Sequence, residues 1–322
     1  MIRPFDLRDL ALVSQIEHQG TPLFTELALT RQPRPLQSAL AGFFSLNGHG
    51  VRTYVLRESL DDDQLSGLIQ VRDRGNRTSA VISYIAPALQ VNHYTADIWG
   101  RLLDHAAMQS GKLGVQHLLA EAPEDSLAVE VLQRAGYAIY LRQDIVRLVR
   151  TRLSIRAEPV MRPCEARDRW GVQQLVVNTV PRLAQLAEGL PRMYRSGAVR
   201  CYVLEEAAEI VAYLQVRRGP EGAWFNVLMH PGAEARASAV IEYGLSLFGS
   251  NWNAPIYCCV RRYQEWLRRP LESQGFEPYA STVVMVKHLA KLIDEPEAAK
   301  VNALESHAKV TAHVAHPRGR SS

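Results

Sequence analysis

The sequence predicts an α+β protein of two tandem, homologous domains, each a mixed, mostly antiparallel sheet flanked by helices. Three observations predict it. The opening Ile2-Arg3-Pro4-Phe5-Asp6-Leu7-Arg8-Asp9 returns almost position for position as Met161-Arg162-Pro163-Cys164-Glu165-Ala166-Arg167-Asp168. Later pieces recur in the same order: Tyr54-Val55-Leu56 as Tyr202-Val203-Leu204, Ile69-Gln70-Val71-Arg72 as Leu214-Gln215-Val216-Arg217, and Ala135-Gly136-Tyr137 as Gln274-Gly275-Phe276. A unit of roughly 140–160 residues is a domain, because solenoid units run to about 20–50 residues. Within one copy, strand, helices, three-strand meander, helix, strand, helix and strand follow in turn, an order that requires one parallel crossover.

Each element has a local reason. Asp9 reads as a helix cap before the apolar stripe Leu10, Leu12, Val13 and Ile16. A polar, proline-containing connection spans 19–35, and a second helix spans 36–44 before Asn47-Gly48. Strands are expected over 52–58, 65–72 and 79–85, with Asp61-Asp62-Asp63 and Arg74-Gly75-Asn76 as the turns. Pro87 and Asn92 mark a loop, and a helix over 96–110 is stopped by Gly111. A strand over 115–121, a helix over 126–134 and a long strand over 137–149 complete the copy. The first domain is expected over 1–150, a linker over 151–158, the second domain over 159–289, and a mobile polar tail over 290–322.

Composition narrows the class. At 322 residues each copy can close its own core, and 47% hydrophobic with 22% charged residues is ordinary for a globular protein. No run of about 18 apolar residues is present. Met1 leads directly into Arg3, Pro4 and Asp6 without an apolar signal core, so a cytoplasmic protein is expected. The net charge of +4 admits an anionic ligand without demanding nucleic acid. Cys164, Cys201, Cys258 and Cys259 have no metal or disulfide spacing and read as buried thiols, the adjacent pair pointing to opposite faces of a strand. His93, His105 and His117 fall in different elements, and His313 and His316 fall in the tail, so no metal site is expected.

The element order, together with Leu132-Gln133-Arg134-Ala135-Gly136-Tyr137 and its twin Leu271-Glu272-Ser273-Gln274-Gly275-Phe276, resembles the GCN5-related N-acetyltransferase (GNAT) superfamily, and the duplication is similar to its tandem members. The resemblance covers 1–150 and 159–289. It implies acetyl transfer from acetyl-CoA, as co-substrate, to a small-molecule or peptide amine. It also implies a pyrophosphate seat on backbone amides in an Arg/Gln-x-x-Gly-x-Gly/Ala loop opening the helix after the fourth strand, where small residues admit the ligand and a helix start supplies N–H donors. Neither copy carries that loop intact. Asp97 and Trp99 stand at the small-residue seats of the first copy, a repelling charge and an obstructing indole. The second copy offers Ala235 and Ala237, with Arg236 and Ser238 beside them and Leu228 and Met229 on the strand before. These six are the expected cofactor-binding residues.

The chemistry is less legible. The resemblance implies a tyrosine acid on the last helix, where the two copies have Leu132 and Leu271. Tyr257 and Tyr263 are substitute donors or merely packed aromatics. Asn226 cannot titrate, and Glu121 and Glu265 are carboxylates equally explained as solvated faces. Cys258 as an acyl carrier would need an activating base that the sequence does not show. Arg261, Arg262, Arg268 and Arg269 with Trp266 form a basic, aromatic patch or an ordinary helix face. Two readings follow: an N-acyltransferase working in its second copy, or a non-catalytic ligand-sensing or protein-contact module. An unpaired sheet edge would allow a homodimer in either case.

Overall fold

Both copies open on the same side-chain clasp. Arg3 donates from two guanidinium nitrogens to the Asp9 carboxylate at 2.9 and 2.7 Å, and Asp9 Oδ2 also accepts the Asp6 amide. Arg162 and Asp168 repeat the fork at 2.7 and 2.8 Å, with the Glu165 amide on Asp168 Oδ2. The carboxylates are buried and fully engaged, so the repeated Arg-Pro…Asp is a strand-to-helix corner held by a bidentate ion pair. Asp9 is therefore not a forward cap for the first helix. Asp6 accepts the Arg8 amide, while Asp9 reaches back to Asp6.

The computed structural model describes residues 1–44, 50–60, 63–74, 78–90, 93–149, 158–191, 199–249 and 251–289. The expected tail, the linker apart from Glu158, Asp61-Asp62, Gly75-Asn76, Asn47-Gly48 and Asn92 lie outside them. The first copy runs β1 (Ile2–Pro4), α1 (Leu10–Ile16), β2 (Thr21–Pro22), α2 (Thr25–Thr30), α3 (Pro35–Phe43), β3 (Val51–Leu60), β4 (Asp63–Asp73), β5 (Ser79–Ala86), α4 (His93–Lys112), β6 (His117–Pro123), α5 (Leu127–Arg134) and β7 (Ala138–Leu148). The second runs β8 (Arg162–Pro163), α6 (Arg169–Thr179), α7 (Arg182–Glu188), β9 (Val199–Glu206), β10 (Glu209–Arg218), β11 (Ala223–Met229), α8 (Ala237–Ser246), β12 (Ile256–Arg261), α9 (Arg268–Ser273) and β13 (Glu277–His288). The stretch expected as a plain connection over 19–35 holds β2 and α2. Gly111 does not stop α4, which ends at Lys112 before Gly114 takes a left-handed φ of 81°.

The recurring Gly-Tyr and Gly-Phe endings are also backbone devices. Gly136 and Gly275 have φ of 83° and 87°, and the next amides, Tyr137 and Phe276, close back onto Leu132 and Leu271 carbonyls at 3.0 and 3.1 Å. This is the Schellman stop, with the aromatic ring and the leucine buried together under the sheet.

The thirteen strands among the described residues join one sheet, ordered β1-β3-β4-β5-β6-β13-β7-β12-β11-β10-β9-β8, with β2 laid against β5. The last strands are exchanged. β13 of the second copy lies antiparallel between β6 and β7, and β7 of the first copy borders β12. The core of the first copy therefore includes Val283 and Met285, and that of the second includes Val146 and Leu148. Residues Met1–Lys291 fall in one compact unit.

The clasp predicts a pH-dependent stability term. Hydrogen bonding from Arg162 is the main influence holding the Asp168 carboxyl below the usual carboxylate range, so its contribution is present above about pH 4 and lost as pH falls through the folded value. In urea denaturation at pH 7, Asp168→Asn is expected to cost roughly 1.5–3 kcal/mol, the scale of hydrogen bonds to a charged group. That difference should shrink as the pH is lowered below 4.

Candidate functional site

Among the described residues each copy contains one parallel strand pair, and each pair parts after three residues. β5 and β6 pair from Ser79 with His117 to Val81 with Leu119, and β11 and β12 pair from Ala223 with Ile256 to Phe225 with Cys258. Beyond those points the backbone edges need other partners.

In the first copy the chain supplies them itself. Thr21 and Pro22 pair with Ile85 and Tyr84, the Leu23 amide donates to the Ser83 carbonyl, and the Leu23 carbonyl accepts the Glu121 amide at 2.9 Å. Leu23 is fully buried, and the Glu121 carboxylate accepts the Thr25 amide that begins α2. Burial is the main influence on Glu121 and raises its pKa. Trp99 is wholly buried within α4, its indole N–H donating to the Pro87 carbonyl at 2.7 Å. The opening of the first copy is thus filled by its own strand.

In the second copy no strand is threaded between β11 and β12 among the described residues. Ala223 donates to Pro255, and His230 donates to Val211 on the other side. By the two-residue alternation of a strand, Val227 and Met229 therefore direct their peptide groups into the gap. A cavity of about 100 Å³ borders the gap, lined by Asn226, Val227 and Leu228 on β11, by Arg261, Tyr263 and Gln264 at and past the end of β12, and by α6, α7 and the residues that follow to Pro191. Gln264 is 5% exposed, and its Nε2 has no hydrogen-bond partner among the described residues. A buried amide nitrogen without a partner costs stability unless something fills the place.

Glu188, at the end of α7, anchors this cavity to the first copy. Its carboxylate takes Arg261 at 2.7 Å, Tyr140 Oη at 2.8 Å and Arg74 at 3.6 Å. Burial pushes the Glu188 carboxyl up, but Arg261, Arg74 and the Tyr140 hydroxyl outweigh it and hold the group below the usual range. It is a structural anion rather than a free base. Arg261 also donates to Tyr263 Oη at 3.4 Å. Burial raises the Tyr263 pKa, keeping the phenol protonated. Because its oxygen accepts from Arg261, the phenol's own hydrogen is free for another acceptor.

The six expected cofactor residues are spread along this half. Leu228 lines the cavity, Met229 is buried on the opposite face under α8, Ala237 is buried, and Ala235, Arg236 and Ser238 are exposed. The loop before α8 is a 3-10 segment, Pro231–Arg236, that caps several of its own amides. Gly232 donates to His230 Nδ1, Ala233 to His230 O, and Ala237 to Glu234 O. Arg236 pairs with Glu206 at 2.6 Å.

The other candidates resolve into packing. Arg262 pairs with Glu124 at 3.4 Å and Arg268 with Asp144, so this part of the basic patch binds the other copy. Tyr257 packs on Tyr279, Glu265 is exposed, and Cys258 is fully buried with its thiol pushed up by burial. Cys259 faces the other side, its Sγ 3.2 Å from Gln143. His105 packs on Tyr54 and His117 on His288. No helix among the described residues is long and apolar enough to cross a membrane. Sequence reasoning singled out Tyr263 and Arg261 but passed over Glu188 and Gln264. The one available signal for Gln264 was its place just past the fifth strand of the second copy.

Two substitutions test this geometry. Glu188→Gln leaves Arg261 buried without its counter-ion and is expected to destabilise by about 3–5 kcal/mol. Gln264→Leu removes an unsatisfied amide and is expected to raise stability by roughly 1 kcal/mol. Urea midpoints at constant m-value read both.

No protein-family model and no curated protein matches the sequence. Solved structures do match in shape. A tandem GNAT protein from the clavulanic acid biosynthesis pathway superposes with a TM-score of 0.52 at 14% identity, covering 89% of this chain and 98% of its own. A GCN5-related N-acetyltransferase from Sphaerobacter thermophilus gives 0.51 at 11% identity, covering 89% and 95%. The chain has the fold of the GCN5-related N-acetyltransferases in its tandem form.

Proposed function

We propose that the protein is an acyl-CoA-dependent N-acyltransferase whose working site is the gap between β11 and β12. The observation that carries this reading is the asymmetry between two equivalent openings, one sewn shut by Leu23 and the other left with Gln264 Nε2 unpartnered. Bound acyl-CoA supplies an acyl group on a thioester for transfer to an amine. The side-chain amide of Gln264 fits a carbonyl of such a carrier, because its free nitrogen is a donor. Val227 and Met229 offer a strand edge to an extended, amide-containing chain. Tyr263 holds a proton at Oη suited to a departing thiolate. Asn226 offers a neutral amide to the acceptor, and we assign proton removal from the amine to solvent, since Glu188 is committed to Arg261.

A specific observation favours the non-catalytic reading. The loop expected to seat a pyrophosphate spends the amides of Gly232, Ala233 and Ala237 on its own caps, and Arg236 on Glu206. A ligand there would have to displace those bonds.

Calorimetry with acetyl-CoA separates the readings. Saturable binding to the wild-type chain, abolished in Ala235→Trp and unchanged in Asp97→Ala, is the expected result. No heat with the wild type removes the enzyme reading. Given turnover with any amine, Tyr263→Phe is expected to lower kcat by about 10²–10⁴-fold, the range for a positioned acid, with KM for acetyl-CoA little changed.

A further inference from the structure

A second cavity lies between the two copies, on the same sheet face as the gap described above. It measures about 950 Å³, within the usual range for small-molecule sites. Its walls come from α2 and α3 and their connection, from the end of β4, and from the end of β10. Gln215 is common to this cavity and to the smaller one beside β11, so the two are neighbours across a single side chain.

The charge of the described walls is unbalanced. Five arginines and three acids line it, with Arg74 already turned to Glu188. Two of the acids are already neutralised: Glu26 pairs with Arg217, and Asp73 takes Arg52 from outside the cavity at 2.7 Å. Glu221 stands exposed at the rim. On the wall formed by the connection between α2 and α3, Arg31 makes no ion pair among the described residues. Among the described residues Arg34 reaches only the neutral Gln37 amide oxygen, at 3.5 Å. Two guanidiniums on one wall, three residues apart around Pro33, present planar donor forks to a concavity in which two of the three lining carboxylates are already paired.

We propose that this inter-copy cavity binds a small anionic molecule bearing carboxylate or phosphate groups, held by Arg31 and Arg34. The site stands apart from acyl-CoA binding, since its walls include none of the residues assigned to that role. A ligand seated there rests against Gln215 and so adjoins the β11–β12 gap.

Calorimetry of the full chain with citrate and, separately, with inorganic pyrophosphate at matched ionic strength tests the site without acyl-CoA. The expected result is saturable one-site binding of at least one anion, weakened tenfold or more in the Arg31→Ala/Arg34→Ala double variant. Binding should be unchanged in Arg8→Ala, an exposed arginine outside the cavity. Citrate binding alone identifies a carboxylate ligand, and pyrophosphate binding alone a phosphate ligand. Both replaced arginines are exposed, and a thermal melt matching the wild type shows that the double variant is folded. Absence of saturable heat with both anions, or equal binding by wild type and double variant, overturns the proposal.

Discussion

A parallel strand pair that parts after three residues leaves peptide groups that must find partners, and this constraint governs both halves of the molecule. The first copy meets it internally. Leu23 bridges Ser83 and Glu121, and once that strand is in place the chain continues through Thr25 into α2, which docks on the second copy at Gly219 and Gly222. The closeness there is steric. A side chain on Gly219 would fall 1.9 Å from the Thr30 carbonyl, so only glycine admits the contact. Filling one gap and bracing the other half are one structural act.

The second copy reciprocates through α7. Ala187 packs on Val81, Leu119 and Val286 of the first copy's sheet, and Ser79 Oγ donates to the Ala187 carbonyl at 2.8 Å. Glu188 then gathers Arg74, Tyr140 and Arg261 from both copies around one buried carboxylate. An anion so held contributes more to fixing the register of the halves than to proton transfer. The exchanged strands have a similar effect, because each half's final strand completes the other's core, and neither sheet is whole without its neighbour.

Parts of this were legible in the sequence because they are local. The Arg-Pro…Asp opening and the Leu…Gly-Tyr or Gly-Phe ending each encode a complete hydrogen-bonding device within about eight residues, so duplication preserved them as visible text. The meander and the single crossover were equally readable from strand period and turn residues. The strand exchange was not, since β7 and β13 have the same alternation whichever β neighbour they choose. β2, two residues long, is too short to show any period, and the segment holding it read as a connection. Glu188 and Gln264 look like surface residues in one dimension. Only pairing between copies buries the first, and only the turn after β12 buries the second. Arg261 was visible as part of a basic patch, although its partner lies 73 residues earlier.

The account's central claim is that one gap of the pair is closed by the chain and its twin is kept for a ligand. Hydrogen–deuterium exchange with and without acetyl-CoA reads both at once. The account predicts that the Val227 and Met229 amides exchange readily alone and become protected when acetyl-CoA is added, while the Glu121 amide is protected in either state. Unchanged exchange at Val227 and Met229 on saturation with acetyl-CoA, or new protection confined to β5 and β6, would contradict it.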